Sequence, residues 1–530
     1  MRKILSAVAM AASLAGASLA GASGSASAAD LTVGARFDPT LDPHFLYLST
    51  NMAYAQHLFE PLVARDVNSQ PVPGLAESWR VVDDTTWEFK LRRGVRFHDG
   101  QEFTAADVLF TVARVPALAN NPSAYTGAIR SIVKTEAPDP YTVIFRTDRP
   151  NPILPSQFTI LSIVSHKAAA DATPADFASG KAAIGTGPYR FVRYARGDRL
   201  ELARNRDHRG PAPAWDNVTF RFIPNPAARV AALLAGDVDM IDYVPTADLP
   251  RLRTDARSAV FSRASDRVIY LVPNVGAETL PGLTTKAGEP LDRNPLRDVR
   301  VRRALSMALN RAALVERVME GFAAPAGQLV PEGFFGYDPG IPVPAYDAAR
   351  AKALLAEAGW PDGFGMTVAC TTDRYLNDAA ICQAVAQMWS RIGLAMKVET
   401  YPSNVFFTKA RKGASELPMM LLGWGSSSTG DSSGALTGLL HSIDAARGFG
   451  AYNFGAYASA DVDAKVEAAT TTMDAKARLT LMQGAMRAAI EDGAVFPSHT
   501  QMTAVAARKG IVYAPRADEW TMAMQATPAR

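Results

Sequence analysis

The stretch LLGWGSSSTGDSSG at 421–434 sets Trp424 and then a run of small and polar residues directly behind an apolar run. Gly423, Gly425, Ser426, Ser427 and Asp431 offer hydroxyls, a carboxylate and uncovered backbone N–H groups. Such a segment can hold a small polar ligand, and it can equally be the tip of a surface loop. A second group, TTDRYLNDAAICQ at 371–383, places Arg374 after a strand and just ahead of a helix starting near Asn377 or Asp378. A guanidinium beside helix N–H groups is a receptor for carboxylate or phosphate. The other reading of Arg374 is an ion pair with Asp373 or Asp378 at the surface. In GFGAYNFGAYASADVD, 448–463, Tyr452 and Asn453 either line a pocket or anchor a turn, and Tyr125 and Asn274 are read in the same way.

None of these groups forms a catalytic constellation. No HExxH or CxxC occurs, and GWGSSS is only superficially like a nucleophile elbow. The seven histidines form no close pair. His98 in the HDG turn reads as a satisfied turn residue, and His441 is the single histidine near the strand at 418–424. Cys370 and Cys382 make no metal site; they either bridge or sit as two small buried hydrophobes on a strand and the next helix. No enzyme activity, cofactor or metal is therefore expected.

Elements must hold these residues in place. PMMLLGW at 418–424 reads as a short buried strand leading into the Ser-rich segment. LTVGARF at 31–37 is a strand, and STNMAYAQHLFEPLV at 49–63 has helical spacing. Trp87, Phe89 and Leu91 alternate as in a half-buried strand, Thr104 caps a helix with Asp107 in its first turn, and 141–147 is another strand. From 227 onward helices alternate with strands, the pattern of an α/β mixed sheet. Residues 294–322 read as strongly helical, with Asp298 as cap, Gly321 as terminator and the Arg cluster 297–303 as a solvated face.

A length of 530 residues fits two or three domains, and 48% hydrophobic with 20% charged residues is an ordinary globular composition. The start, with Arg2, Lys3, an apolar stretch to about Ala20 and Ala-x-Ala patterns, is a secretory signal peptide at 1–29, cut before Asp30. Neither cysteine lies near that cut, so no acyl tether is expected, and no later segment has the roughly 18 apolar residues of a spanning helix. The formal charge of +3 loses Arg2 and Lys3 with the leader, leaving about +1 and no basic block, so nucleic acid is not an expected partner.

LDPH with LFEPLV, PGLAESW, WEFKLRRGVRFHDGQEFTAADV, GTGPY, LLAGDVDMI, LRDVRVRRALSMALNR and LLAEAGWPDGF follow one another in register across the chain. Together they resemble the family-5 solute-binding proteins of ABC importers, which include periplasmic oligopeptide-, dipeptide- and nickel-binding proteins. The resemblance implies a periplasmic, monomeric receptor of periplasmic-binding-protein-like fold, with two lobes and three domains. Domain I would be 30–75, 183–285 and 498–530, domain II the inserted 76–182, and domain III 286–497, hinged near Thr285 and Ser498. A peptide or peptide-like small molecule would bind between the lobes and pass to an inner-membrane permease with its ATPase subunits; nickel, haem, opines and sugar conjugates are alternatives within the family.

The resemblance also assigns the cleft floor to Gly423, Trp424 and Gly425, facing Tyr47, Leu48 and Ser49 on the other lobe. Peptide-binding members carry an Asp three residues after that Trp, and here the position is Ser427. The expectation is that the ligand lacks an ordinary free amino terminus, or that Asp431 swings in to hold its amine.

Overall fold

In a computed structural model, residues 29–121, 125–411 and 416–529 are described. The leader at 1–28 lies outside them. Along the strand Met419–Gly425 every residue through Leu422 is buried, because both faces are covered. Met419 and Leu421 enter one core with Val301, Leu305, Val385 and Trp389. Met420 and Leu422 enter another with Leu436, Met482 and Met486. The period-two alternation of a strand thus divides one apolar run between two cores.

That strand belongs to a twelve-stranded mixed sheet. It pairs antiparallel with the long strand Ser258–Pro273, in the register Val268 to Trp424 and Arg267 to Gly425. Ser258–Pro273 pairs in turn with Phe496–Arg508, whose far end meets Met240–Ile241 and, through it, Asp30–Ala35. Two long strands therefore run from a core containing Leu31, Val218 and Phe220 to the cores on either side of Met419–Gly425. Ser498 lies in one of these crossing strands, whereas Thr285 sits in a turn at the sheet edge.

A separate four-stranded antiparallel sheet, in the order Ala76–Asp83, Thr86–Leu91, Thr142–Thr147 and Ile132–Asp139, packs its own core around Phe89, Phe145 and Phe158. Thr104 and Asp107 form a capping box on the helix Ala105–Ala117. GTGPY needs its glycines for close approach: a Cβ at Gly185 would lie 1.9 Å from the Leu58 carbonyl oxygen. His98 takes the Gly185 N–H on Nδ1 and bonds the Gly187 carbonyl through Nε2, as a satisfied turn residue.

Two expectations are corrected here. The run 294–322 is not one helix: Val299–Met307 and Arg311–Arg317 are separate, because Asn310 caps the second by accepting the Ala313 N–H. The Arg cluster is not wholly solvated either. Arg302 is buried, bound to Asp492 and to the carbonyls of Leu296 and Arg297. Cys370 on the strand Gly365–Thr371 and Cys382 on the helix Asp378–Ser390 are joined as a disulfide.

Candidate functional site

The crossing strand Ser258–Pro273 does not run straight. Its pairing with Phe496–Arg508 is interrupted between Ala264 and Val268, where three residues face only Gln501. Such a bulge re-aims side chains that a regular strand would leave in the sheet. Here it turns Asp266 and Arg267 toward a cavity of about 430 Å³. One wall comes from Arg36, Phe37, 47–50, Arg65, Tyr243 and Trp520, and the other from Arg374, Tyr375, Phe407, 422–425, Ser427, Tyr452 and Phe454.

The floor is the end of Met419–Gly425. One edge of this strand is bonded to 267–273 along its whole length. The other pairs with Val368 and Ala369 only at Met419 and Met420, so among the described residues no strand covers that edge from Leu421 to Gly425. Gly423 leaves room for the Tyr375 ring, which a Cβ would meet at 2.7 Å. Trp424 packs its ring against Tyr452 at 5.5 Å.

Charge in the cavity is unevenly matched. Asp266 is buried, and its Oδ2 accepts the Ser427 N–H at 2.5 Å. Burial pushes its carboxyl up to about 6, against the pull of Arg267. Arg267 itself donates Nε and a terminal N–H to Glu519, at 3.2 and 3.0 Å, and Tyr243 adds its hydroxyl to the same oxygen. Tyr243 and Glu519 both hold left-handed backbone, at φ 46° and 62°, a conformation that side chains other than glycine seldom take.

Arg374 sits on a loop fixed from beneath. Asp378 accepts from the Thr371 hydroxyl and from the backbone N–H groups of Arg374 and Tyr375. Asp373 accepts from Ser403 N–H. Both acids that could have paired with the guanidinium are therefore engaged elsewhere, and it lies on the cavity wall over the Tyr375 ring.

Of the residues singled out from sequence, the structure brings Tyr47, Leu48, Ser49, Arg374, Gly423, Trp424, Gly425, Ser427 and Tyr452 together around this cavity. Five others are not on its wall. Ser426 is fully buried behind it. Asp431 is buried in an ion pair with Arg478, with Ser433 also bound to it, so it is not free to swing toward Ser427. Asn453 ties a turn together, donating to His441 and Tyr457 carbonyls and accepting the Tyr457 N–H. Asn274 does the same for the Leu417 carbonyl and Gly276 N–H. Tyr125 is buried under Tyr47, edge to face at 5.2 Å.

Sequence reading missed Arg36, Arg65, Tyr243, Asp266, Arg267 and Trp520. For Asp266 and Arg267 a signal existed: ASDR at 264–267 interrupts residues that otherwise continue into the apolar strand VIYLVP. The others join the cavity only through long-range packing.

The family model for bacterial extracellular solute-binding proteins, family 5, matches residues 70–446. The dipeptide-binding protein of Escherichia coli K12 is 30% identical over 423 residues, 74% of each chain. The di/tripeptide-binding protein 1 of Pseudomonas aeruginosa is 30% identical over 451 residues, 80% of each. Among solved structures, the periplasmic binding protein DppA of Helicobacter pylori, in complex with the peptide STSA, superimposes with a TM-score of 0.74 at 22% identity, over 94% of this chain and 98% of that one. By sequence over most of its length, and by fold, the chain belongs to the bacterial extracellular solute-binding proteins of family 5.

Proposed function

We propose that the protein is the exported receptor of an ATP-driven importer, and that it takes a peptide or peptide-like solute into the cavity between its lobes. The observation that carries this reading is the open edge of 421–425 beside the guanidinium of Arg374. An extended ligand would add itself to that edge as a strand, which recognises any peptide backbone and tolerates varied side chains. Arg374 would take its carboxylate in a charge-assisted pair. The curated relatives named for di- and tripeptides support the same class of solute.

The division into domain I (30–75, 183–285, 498–530), domain II (76–182) and domain III (286–497) is part of this proposal, with the bending assigned to the crossing strands Ser258–Pro273 and Phe496–Arg508. A ligand that bonds to both walls favours the closed state by its difference in affinity for the two forms. No bond is made or broken; the solute leaves as it arrived, handed to a membrane permease and its ATPases. Among the described residues no helix is long and apolar enough to cross a membrane. Periplasmic release would then follow cleavage before Asp30, which amino-terminal sequencing of the exported protein would read directly.

The test is small-angle scattering with calorimetry. Addition of a mixed di- and tripeptide library should shrink the radius of gyration and release heat with saturable stoichiometry near one. No contraction and no binding at millimolar peptide would overturn the proposal.

A further inference from the structure

Around the cavity and directly behind it stand six guanidiniums, Arg36, Arg65, Arg229, Arg267, Arg374 and Arg516, and four carboxylates, Asp242, Asp266, Asp518 and Glu519. Three of the acids already serve an arginine: Asp242 serves Arg229, Glu519 serves Arg267 and Asp518 serves Arg516. Among the described residues that leaves Asp266 as the acid on the wall outside any direct ion pair, and Arg36, Arg65 and Arg374 as the guanidiniums outside one, each feeling a carboxylate only at longer range.

Arg65 donates Nε to Thr159 at 2.7 Å, and its terminal nitrogens bond no described residue. Arg36 is clamped between the rings of Phe37 and Tyr243, 4.2 and 3.7 Å from their centroids, with no hydrogen bond from its guanidinium to a described residue. Both lie on the wall opposite Arg374. A desolvated guanidinium without a direct ion-pair partner is costly, so a cavity that closes around several of them favours anions.

We infer that the solute carries one ammonium and two carboxylates: Asp266 holds the ammonium at the place where Ser427 offers no charge, Arg374 one carboxylate, and Arg36 with Arg65 the other. The inference rests on the peptide-like reading above and narrows it to acidic members of that class. The acidic anchor is then not missing but moved to the neighbouring strand. Asp266 accepts from the Ser427 backbone and side chain, both neutral donors, and among the described residues it makes no direct ion pair.

The probes are Ala-Ala, Ala-Lys, Ala-Glu and Glu-Ala, titrated by calorimetry into the mature chain after unfolding and refolding have removed any co-purifying solute. The better of Ala-Glu and Glu-Ala should bind at least tenfold more tightly than Ala-Ala, with Ala-Lys the weakest. Arg65→Gln should shrink the tenfold gap to less than threefold, and Arg65→Lys should keep it. If Ala-Ala or Ala-Lys equals the acidic peptides in the unmodified protein, the inference falls while the peptide reading stands. If none of the four binds to protein that melts cooperatively, both fall.

Discussion

Asp266 illustrates how a single residue can serve binding at the expense of stability. Its folded-state pKa of about 6 lies above that of the unfolded chain, so the unfolded state gives up the proton first and stability is lost as pH rises between the two. At neutral pH this amounts to about 3 kcal/mol. Asp266→Asn should therefore raise the melting temperature while weakening affinity for a peptide with a free amino terminus, a pairing that differential scanning fluorimetry and calorimetry would detect together. The groups that set this titration are Arg267 on the same strand, Glu519 from the C-terminal segment, the Ser427 N–H and Arg65 from the opposite wall. Affinity for a peptide ammonium should be greatest near pH 7, falling as Asp266 protonates below about pH 6 and as the ligand's own amine deprotonates above about pH 8, and the Asn variant should lose the acid-side fall. Arg374→Ala should cost ten- to a hundredfold in affinity, the range of a lost charge-assisted hydrogen bond of about 1.5–3 kcal/mol. Arg374 was legible in the sequence because strand, loop and helix N-terminus are local. Asp431 misled because its partner, Arg478, lies 47 residues away.

At the scale of elements, the wall bearing Arg374 is held by the disulfide between Cys370 and Cys382, which joins the strand before its loop to the helix after it. Closing twelve residues of sequence removes chain entropy from the unfolded state worth about 3 kcal/mol. Cys382→Ala should lower stability by an amount of this order in denaturant titrations, under conditions where the unmodified protein is kept oxidised. Solute affinity should fall with it if the loop loosens. The strand 418–424 was legible because its apolar run has no other use in a short segment. The bulge in Ser258–Pro273 was not, since a pairing register is set by partners more than two hundred residues distant, at Phe496–Arg508.

Across the whole molecule, His44, His57, His98 and His499 are buried, and burial pulls each down to about 4. An unfolded histidine takes its proton near 6.5, so each of these opposes folding progressively as pH drops from 6.5 toward 4, by at most about 3 kcal/mol apiece. The melting temperature should be level from pH 7 to 8 and drop steeply between 6.5 and 4.5, a profile readable by calorimetry without any ligand. These histidines sit where distant segments meet. His44 bonds the Ser162 carbonyl and touches Arg114, and His57 accepts the Ala523 N–H. The sequence by itself determined the family, the mixed α/β class and the strand, loop and arginine of one cavity wall, because each depends on residues close together in the chain. Only the tertiary structure decided which charges meet. Asp266, Arg36 and Arg65 share one cavity because two long strands bring remote segments side by side, and the energy of a charge depends on its neighbours in space.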